Sequence, residues 1–174
     1  MVLVLLVLAH AAEFLAQSFV LLQHLRPGEW EFTTSQRGIA GYAQYAHLSE
    51  LASVLNGNPT LKATIGGDYV ITPDIVVARK PVPDGIVNQY ANVIDPSDSI
   101  AALTPLRERD NPHALSSLHA SISCKWSMRS DRAQNTRTEA LNLIRNRKGH
   151  TPHIVAVTLE PLPARLASLA LGTG

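Results

Sequence analysis

Cysteine is almost missing. Cys124 is the only one in 174 residues, so no internal disulfide can form, and a reducing, cytoplasmic compartment is the expectation. Aromatic residues make up 5% and charged residues 17%, yet 45% of the chain is hydrophobic, which excludes a disordered tail. A chain of this length can bury a core without covalent staples. Long apolar runs are also missing. Val2 to Ala9 is the longest, far short of the roughly 20 residues a membrane span needs, so no membrane partner is expected. That run, followed by Ala9-His10-Ala11, looks like a secretion-signal core, but no Lys or Arg precedes it. A helix start, or a reading frame that opens inside a longer gene, fits better. Gly66-Gly67 is too short to cradle a nucleotide's phosphates. The seven histidines show no metal-ligand spacing, which argues against zinc.

Net charge is only +1, but its distribution is uneven. Residues 1–118 hold seven Lys/Arg against eleven Asp/Glu, whereas residues 119–150 hold seven against two. A basic block on an otherwise acidic chain implies an anionic partner there.

Hydrophobic periodicity predicts helices over 10–25 and 41–56, the second stopped by Asn56-Gly57-Asn58-Pro59. Trp30, Phe32 and Thr34 alternate as a short strand. Asp68 to Ala78 reads as a strand with Pro73 breaking its ladder. Residues 80–113 carry five of the eleven prolines and read as a loop-rich connection. Leu118 to Trp126 follows as a strand, Ala133 to Lys148 as a helix, His153 to Leu159 as a buried strand, and Pro163 to Leu171 as the start of a last helix. This order predicts one α/β domain over 1–174, a mixed β-sheet flanked by helices.

Three polar residues stand where the pattern asks for apolar ones: Asp74 after Pro73, Lys125 at a strand end, and Glu139 inside the basic helix. A carboxylate at a sheet edge can hold a hard cation such as magnesium through oxygen. A lysine beside it can orient an attacking water and steady a phosphate's charge, and a second acid can complete the metal shell. These are the needs of metal-assisted phosphodiester hydrolysis. Singly, each has a plainer reading: a turn residue, a strand end reaching solvent, a helix-surface acid. Arg129, Ser130, Asp131 and Arg132 follow the lysine after three intervening residues. Arginine matches guanine bidentately and aspartate accepts from cytosine's amino group. The alternative for Asp131 is to cap the helix at Ala133. A separate reading, a small α/β hydrolase built on Cys124, would need a low-pKa thiol.

Pro73-Asp74, Ser123-Cys124-Lys125 and Glu139 resemble the PD-(D/E)xK arrangement in which the second acid has moved from the strand to the next helix. The stretch HASISCKWSMRSDRAQNTRTEALNLIRNRKG (His119 to Gly149) closely resembles NgoMIV-type type II restriction endonucleases. HLRPGEW, YAQYAHL, DYVITPDIVV and PHIVAVTLEPLPARLASLALGTG extend the resemblance over most of the chain from Glu13 onward. The resemblance implies a restriction-endonuclease-like core that hydrolyses double-stranded DNA with Mg2+. Asp74 and Lys125 would be catalytic, with Ser123 in their motif and Glu139 as the displaced acid. The metal would sit on Asp74, Glu139 and main-chain oxygen near Cys124, and Glu13 would be a further active-site glutamate. Arg129, Asp131 and Arg132, with Ser130 among them, would read the CCGG core of a GCCGGC-like palindrome. The complete protein would be a homo-oligomer, dimer or tetramer, in a restriction-modification system. Relatives are longer at both ends, so the resemblance implies a shortened chain with weak or absent dimerisation. An inactive DNA-binding fragment is the alternative.

Overall fold

The computed structural model describes residues 2–34, 38–65, 71–101, 104–108 and 114–171, with the side chains of 2–5, 65, 130, 132 and 169 left aside. Helix α1 runs Val2–Leu21, strand β1 Glu29–Thr33, α2 His47–Asn56 and α3 Pro59–Ile65. Then come β2 (Ile75–Lys80), α4 (Asp84–Val87), β3 (Ser117–Ser127), α5 (Ser130–Asn146), β4 (His153–Glu160) and α6 (Pro163–Leu171). The strands form one mixed sheet in the order β1-β2-β3-β4, antiparallel except for the parallel β3–β4 pair. An α/β architecture with a mixed sheet between helices is therefore observed.

Several boundaries differ from the expectation. The apolar run at the N-terminus is the opening of α1 itself, which starts at Val2 rather than residue 10. The expected helix 41–56 is split: two short 3-10 turns, Ile39–Gly41 and Ala43–Tyr45, precede α2. Pro59 does not end helical structure but begins α3, because proline's missing N–H and fixed φ suit a first helical position. Residues 68–70 of the expected strand lie outside the described residues, and β2 begins only at Ile75, after Pro73. The 80–113 connection contains α4. Helix α5 begins three residues early, at Ser130. β4 is not buried: Val155 and Leu159 are exposed, because it pairs with β3 alone among the described strands.

Each face of the sheet has its own core. On one, Ile75, Val77, Ala120, Ile122 and Cys124 pack under α1 through Leu8, Leu15 and Phe19. On the other, Val76, Ala78 and Leu118 meet Ile39, Tyr45, Leu48 and Leu143 of the turns, α2 and α5. Strand side chains alternate between faces, yet Leu118 and Ala120 belong to opposite cores. A bulge explains this: Val77 pairs with Ala120 while Ala78 pairs with Leu118, leaving His119 as the extra residue. Buried Gln44 clamps the strand there, its amide donating to the Leu118 carbonyl at 2.8 Å and accepting the Leu118 N–H at 2.9 Å.

Tyr45 ties the same layer to α5. Its hydroxyl donates to the Leu143 carbonyl at 2.9 Å, and burial pushes its pKa up to about 12. Leu143 itself is fully buried. Leu143→Ala is expected to cost about 2–5 kcal/mol in urea unfolding, the range for emptying a packed leucine site. A cost well under about 1 kcal/mol would mean that α5 is held by something other than this core.

Candidate active site

The sheet brings two distant acids and bases together. β2 and β3 are antiparallel with Ile75 opposite Ile122, so Asp74, just before β2, stands beside Ser123 and Cys124. Its Oδ2 accepts the Cys124 N–H at 2.7 Å and lies 3.5 Å from the Lys125 Nζ. The two side chains are 27% and 26% exposed, so the pair is reachable from water without being freely solvated. By alternation from Ile122 and Cys124, Ser123 and Lys125 face the α5 side of the sheet. Asp74 shares the side of Val76 by the same rule. The Ser123 hydroxyl is buried there with no hydrogen-bond partner. A buried hydroxyl without a partner is costly, and this one stands between the two charged residues in the motif.

Why the chain folds this way locally is legible. Pro73 cannot donate to the ladder, so β2 starts after it and leaves Asp74 at the strand's open end. The Asp74 carboxylate then takes over the role of a ladder acceptor for Cys124. In an antiparallel pair a residue's N–H and C=O face the same neighbour, so the Cys124 carbonyl also points toward the Asp74 side.

Glu139 lies half-buried on α5, one turn from buried Thr136 and Leu143 and on the sheet side that Asp74 and Lys125 face. Among the described residues, no three His, Cys, Asp or Glu side chains gather into a cluster able to hold a metal. Among the described residues, Asp74 is the carboxylate that pairs with Lys125, and Glu139 forms no ion pair with that lysine. Glu13 is not brought in either. It is exposed on α1, its carboxylate accepts from Gln17 at 3.3 Å, and α1 covers the sheet's other face.

Arg129 and Asp131 are both exposed at the junction of β3 and α5, only a few residues beyond Lys125. Arg129, not Asp131, occupies the N-cap position, with extended backbone angles and no side-chain capping bond. The expected cap at Asp131 is therefore corrected: the helix starts earlier, and Asp131 lies inside its first turn, where its charge still suits the helix dipole. The side chains of Ser130 and Arg132 lie outside the described set.

Cys124 is a poor nucleophile. It is 5% exposed and packs in the α1-side core. Burial, and then the Asp74 carboxylate, push its thiol pKa up, against a smaller opposing pull from Lys125. The hydrolase reading fails on that environment. Cys124→Ala is expected to keep any nuclease activity within about threefold of the parent while costing about 1 kcal/mol of stability, since only a small core group is lost. Loss of cutting in a folded Cys124→Ala protein would return the thiol to the mechanism.

This arrangement offers a carboxylate for a hard cation, an ammonium within reach of the same point, and an exposed Arg–Asp pair beside them. Residues 8–174 match the NgoMIV restriction enzyme family. Over 170 residues the chain is 50% identical to the type II restriction enzyme NgoMIV of Neisseria gonorrhoeae, which takes in 95% of this chain and 58% of that relative. The chain therefore spans a little over half the length of the curated relative it matches. With the match running from residue 8 to the last residue, this chain belongs to the NgoMIV restriction enzyme family.

Proposed function

We propose that this chain carries the active site of a type II restriction endonuclease, hydrolysing double-stranded DNA with Mg2+ at a GCCGGC-like palindrome. The observation that carries the reading is the 3.5 Å approach of Lys125 Nζ to Asp74 Oδ2 at the open end of β2. Oxygen donors suit magnesium. Asp74 would hold it, with the Cys124 main-chain oxygen on the same side and Glu139 as a supporting acid on the same face of the sheet. The remaining ligands would be water and the DNA phosphate. Magnesium bound there would supply positive charge at the scissile phosphate.

The protein's own groups divide the rest. The Lys125 ammonium can donate to the attacking water and to a phosphate oxygen, steadying charge that grows as the bond breaks. Asp74 would hold the cation, and its carboxylate is itself held against β3 by the Cys124 N–H. Ser123 stands across the ladder from Asp74 and two positions before Lys125, and its hydroxyl is buried without a partner. Arg129, Asp131 and Arg132, with Ser130, would meet the major groove. A palindrome is read most simply by copies related by a two-fold axis, so a dimer or tetramer would be the working form, acting in the cytoplasm of a cell whose own sites are methylated.

A supercoiled plasmid with one GCCGGC site tests this, incubated with this chain in Mg2+, in Ca2+ and in EDTA. The expected result is cutting at that site in Mg2+ only. Specific binding to the site without cutting in any metal would favour the second reading, a DNA-binding chain without nuclease activity. Neither cutting nor preferential binding would overturn both.

A further inference from the structure

A second cluster of charged side chains lies at the other end of the sheet and takes no part in the site above. A hollow of about 680 Å³ opens among Arg26, Arg79, Lys148, His119, His150 and His153. Among the described residues, no Asp or Glu lines it. It is remote from the nuclease site: His119 and Lys125 are six positions apart on β3, on the order of 20 Å at a strand's rise.

The hollow is assembled with care. The bulge in β3 turns His119 toward the α1 side, where its ring sits 4.8 Å from Trp30 and 4.9 Å from His153, centroid to centroid. The Arg79 guanidinium lies 5.3 Å from the Trp30 ring centre and donates to the Pro27 carbonyl. Gly28 makes room for it: its φ is +149°, and an added Cβ would stand 2.7 Å from the Arg79 Nε. The Nε itself is buried without a hydrogen-bond partner. Neither Arg26, Arg79 nor Lys148 forms an ion pair among the described residues. The field inside is positive. His119 is pushed down to about 4, first by burial and then by His153, Arg26, His150 and Arg79. Two of the three cations, Arg26 and Lys148, are exposed, and the third, Arg79, is partly buried with an orphan Nε–H, so the hollow presents positive charge that an anion can meet.

We propose that this hollow is a second, non-nucleolytic binding site for a phosphate group. Arginine and lysine are the usual phosphate partners, the first as a fork and the second as a point charge. The volume falls in the range of small-molecule pockets and exceeds what inorganic phosphate alone needs. The Trp30 and His119 rings offer apolar surface for whatever the phosphate is attached to. The source of the phosphate is either a free small molecule or a DNA backbone running past the nuclease site.

Isothermal calorimetry on this chain without divalent metal tests the proposal, titrating inorganic phosphate, then a deoxynucleoside 5′-monophosphate, against a chloride control of equal ionic strength. Saturable binding is expected. Arg26→Gln with Lys148→Gln should weaken it at least tenfold, while Lys125→Ala leaves it unchanged. Arg79→Gln should weaken it too, and thermal melting shows whether that variant is folded. Phosphate displaced by a duplex lacking GCCGGC would assign the site to DNA backbone; phosphate retained would assign it to a free ligand. No saturable binding by the wild-type chain would overturn the proposal, as would affinity unchanged by Arg26→Gln with Lys148→Gln. Binding lost in Lys125→Ala would overturn it as well, since the anion would then sit at the nuclease centre.

Discussion

Asp74→Asn is expected to abolish Mg2+-dependent cleavage, by at least about a thousandfold, while duplex binding in Ca2+ stays within about threefold. A bound metal is worth several kcal/mol of transition-state stabilisation, and each 1.4 kcal/mol is about tenfold. Asparagine is the more informative replacement because it keeps an oxygen to accept the Cys124 N–H, now at 2.7 Å. Alanine would leave that N–H without its partner and mix a folding cost into the result. Lys125→Ala should lose about a hundredfold to a thousandfold, the usual worth of one donor aimed at developing charge. It should also leave binding intact, since neither residue reads a base. Single-turnover cleavage and a fixed-salt binding assay, run on each variant, check both parts. A variant that cuts at the wild-type rate would remove its residue from the mechanism.

Arg129→Ala and Asp131→Ala should each lose about tenfold to a hundredfold of preference for a CCGG duplex over a scrambled one, the worth of one good base contact. Both residues are exposed at the start of α5, two positions apart, so they can meet neighbouring base pairs in one groove. Arg147→Ala is the contrast. It lies past the end of α5 and donates to the Ile144 carbonyl. Losing any phosphate contact it makes would weaken binding to all DNA about equally and lower the salt dependence. Affinities for both duplexes at one salt concentration decide the matter. An unchanged ratio in both variants would leave Asp131 as a first-turn acid that steadies the helix and nothing more.

The core of the site was legible because its parts are local. Pro73-Asp74 and Ser123-Cys124-Lys125 are short strings, and alternation around them places the side chains on one face. Their meeting across fifty residues needed only that two β-rich segments pair, which the pattern predicts. The base-reading candidates Arg129 to Arg132 stood out because they lie only a few residues after Lys125. Boundaries were less so, because proline has two meanings. Pro73, expected to interrupt a strand, stands before the start of β2, and Pro59 starts a helix instead of stopping one. β4 read as buried because its residues are apolar, and sequence does not say how many neighbours a strand has. The bulge at His119 leaves no local mark, and the Gln44 that bonds both polar groups of Leu118 beside it is far away in the chain. The basic hollow was invisible for the same reason. Its three cations come from three separate segments, none of them basic enough to stand out, apart from a helix end that reads as solvated.

The most direct measurement of the central claim is a structure of this chain with a GCCGGC duplex and Ca2+, which occupies magnesium-type oxygen sites with looser geometry. The account predicts calcium at about 2.3–2.6 Å from an Asp74 carboxylate oxygen, the usual calcium–oxygen range. It also predicts the scissile phosphate against the Lys125 ammonium, and Arg129 in the major groove. Calcium bound away from Asp74, or a duplex lying on another face of the sheet, would contradict it.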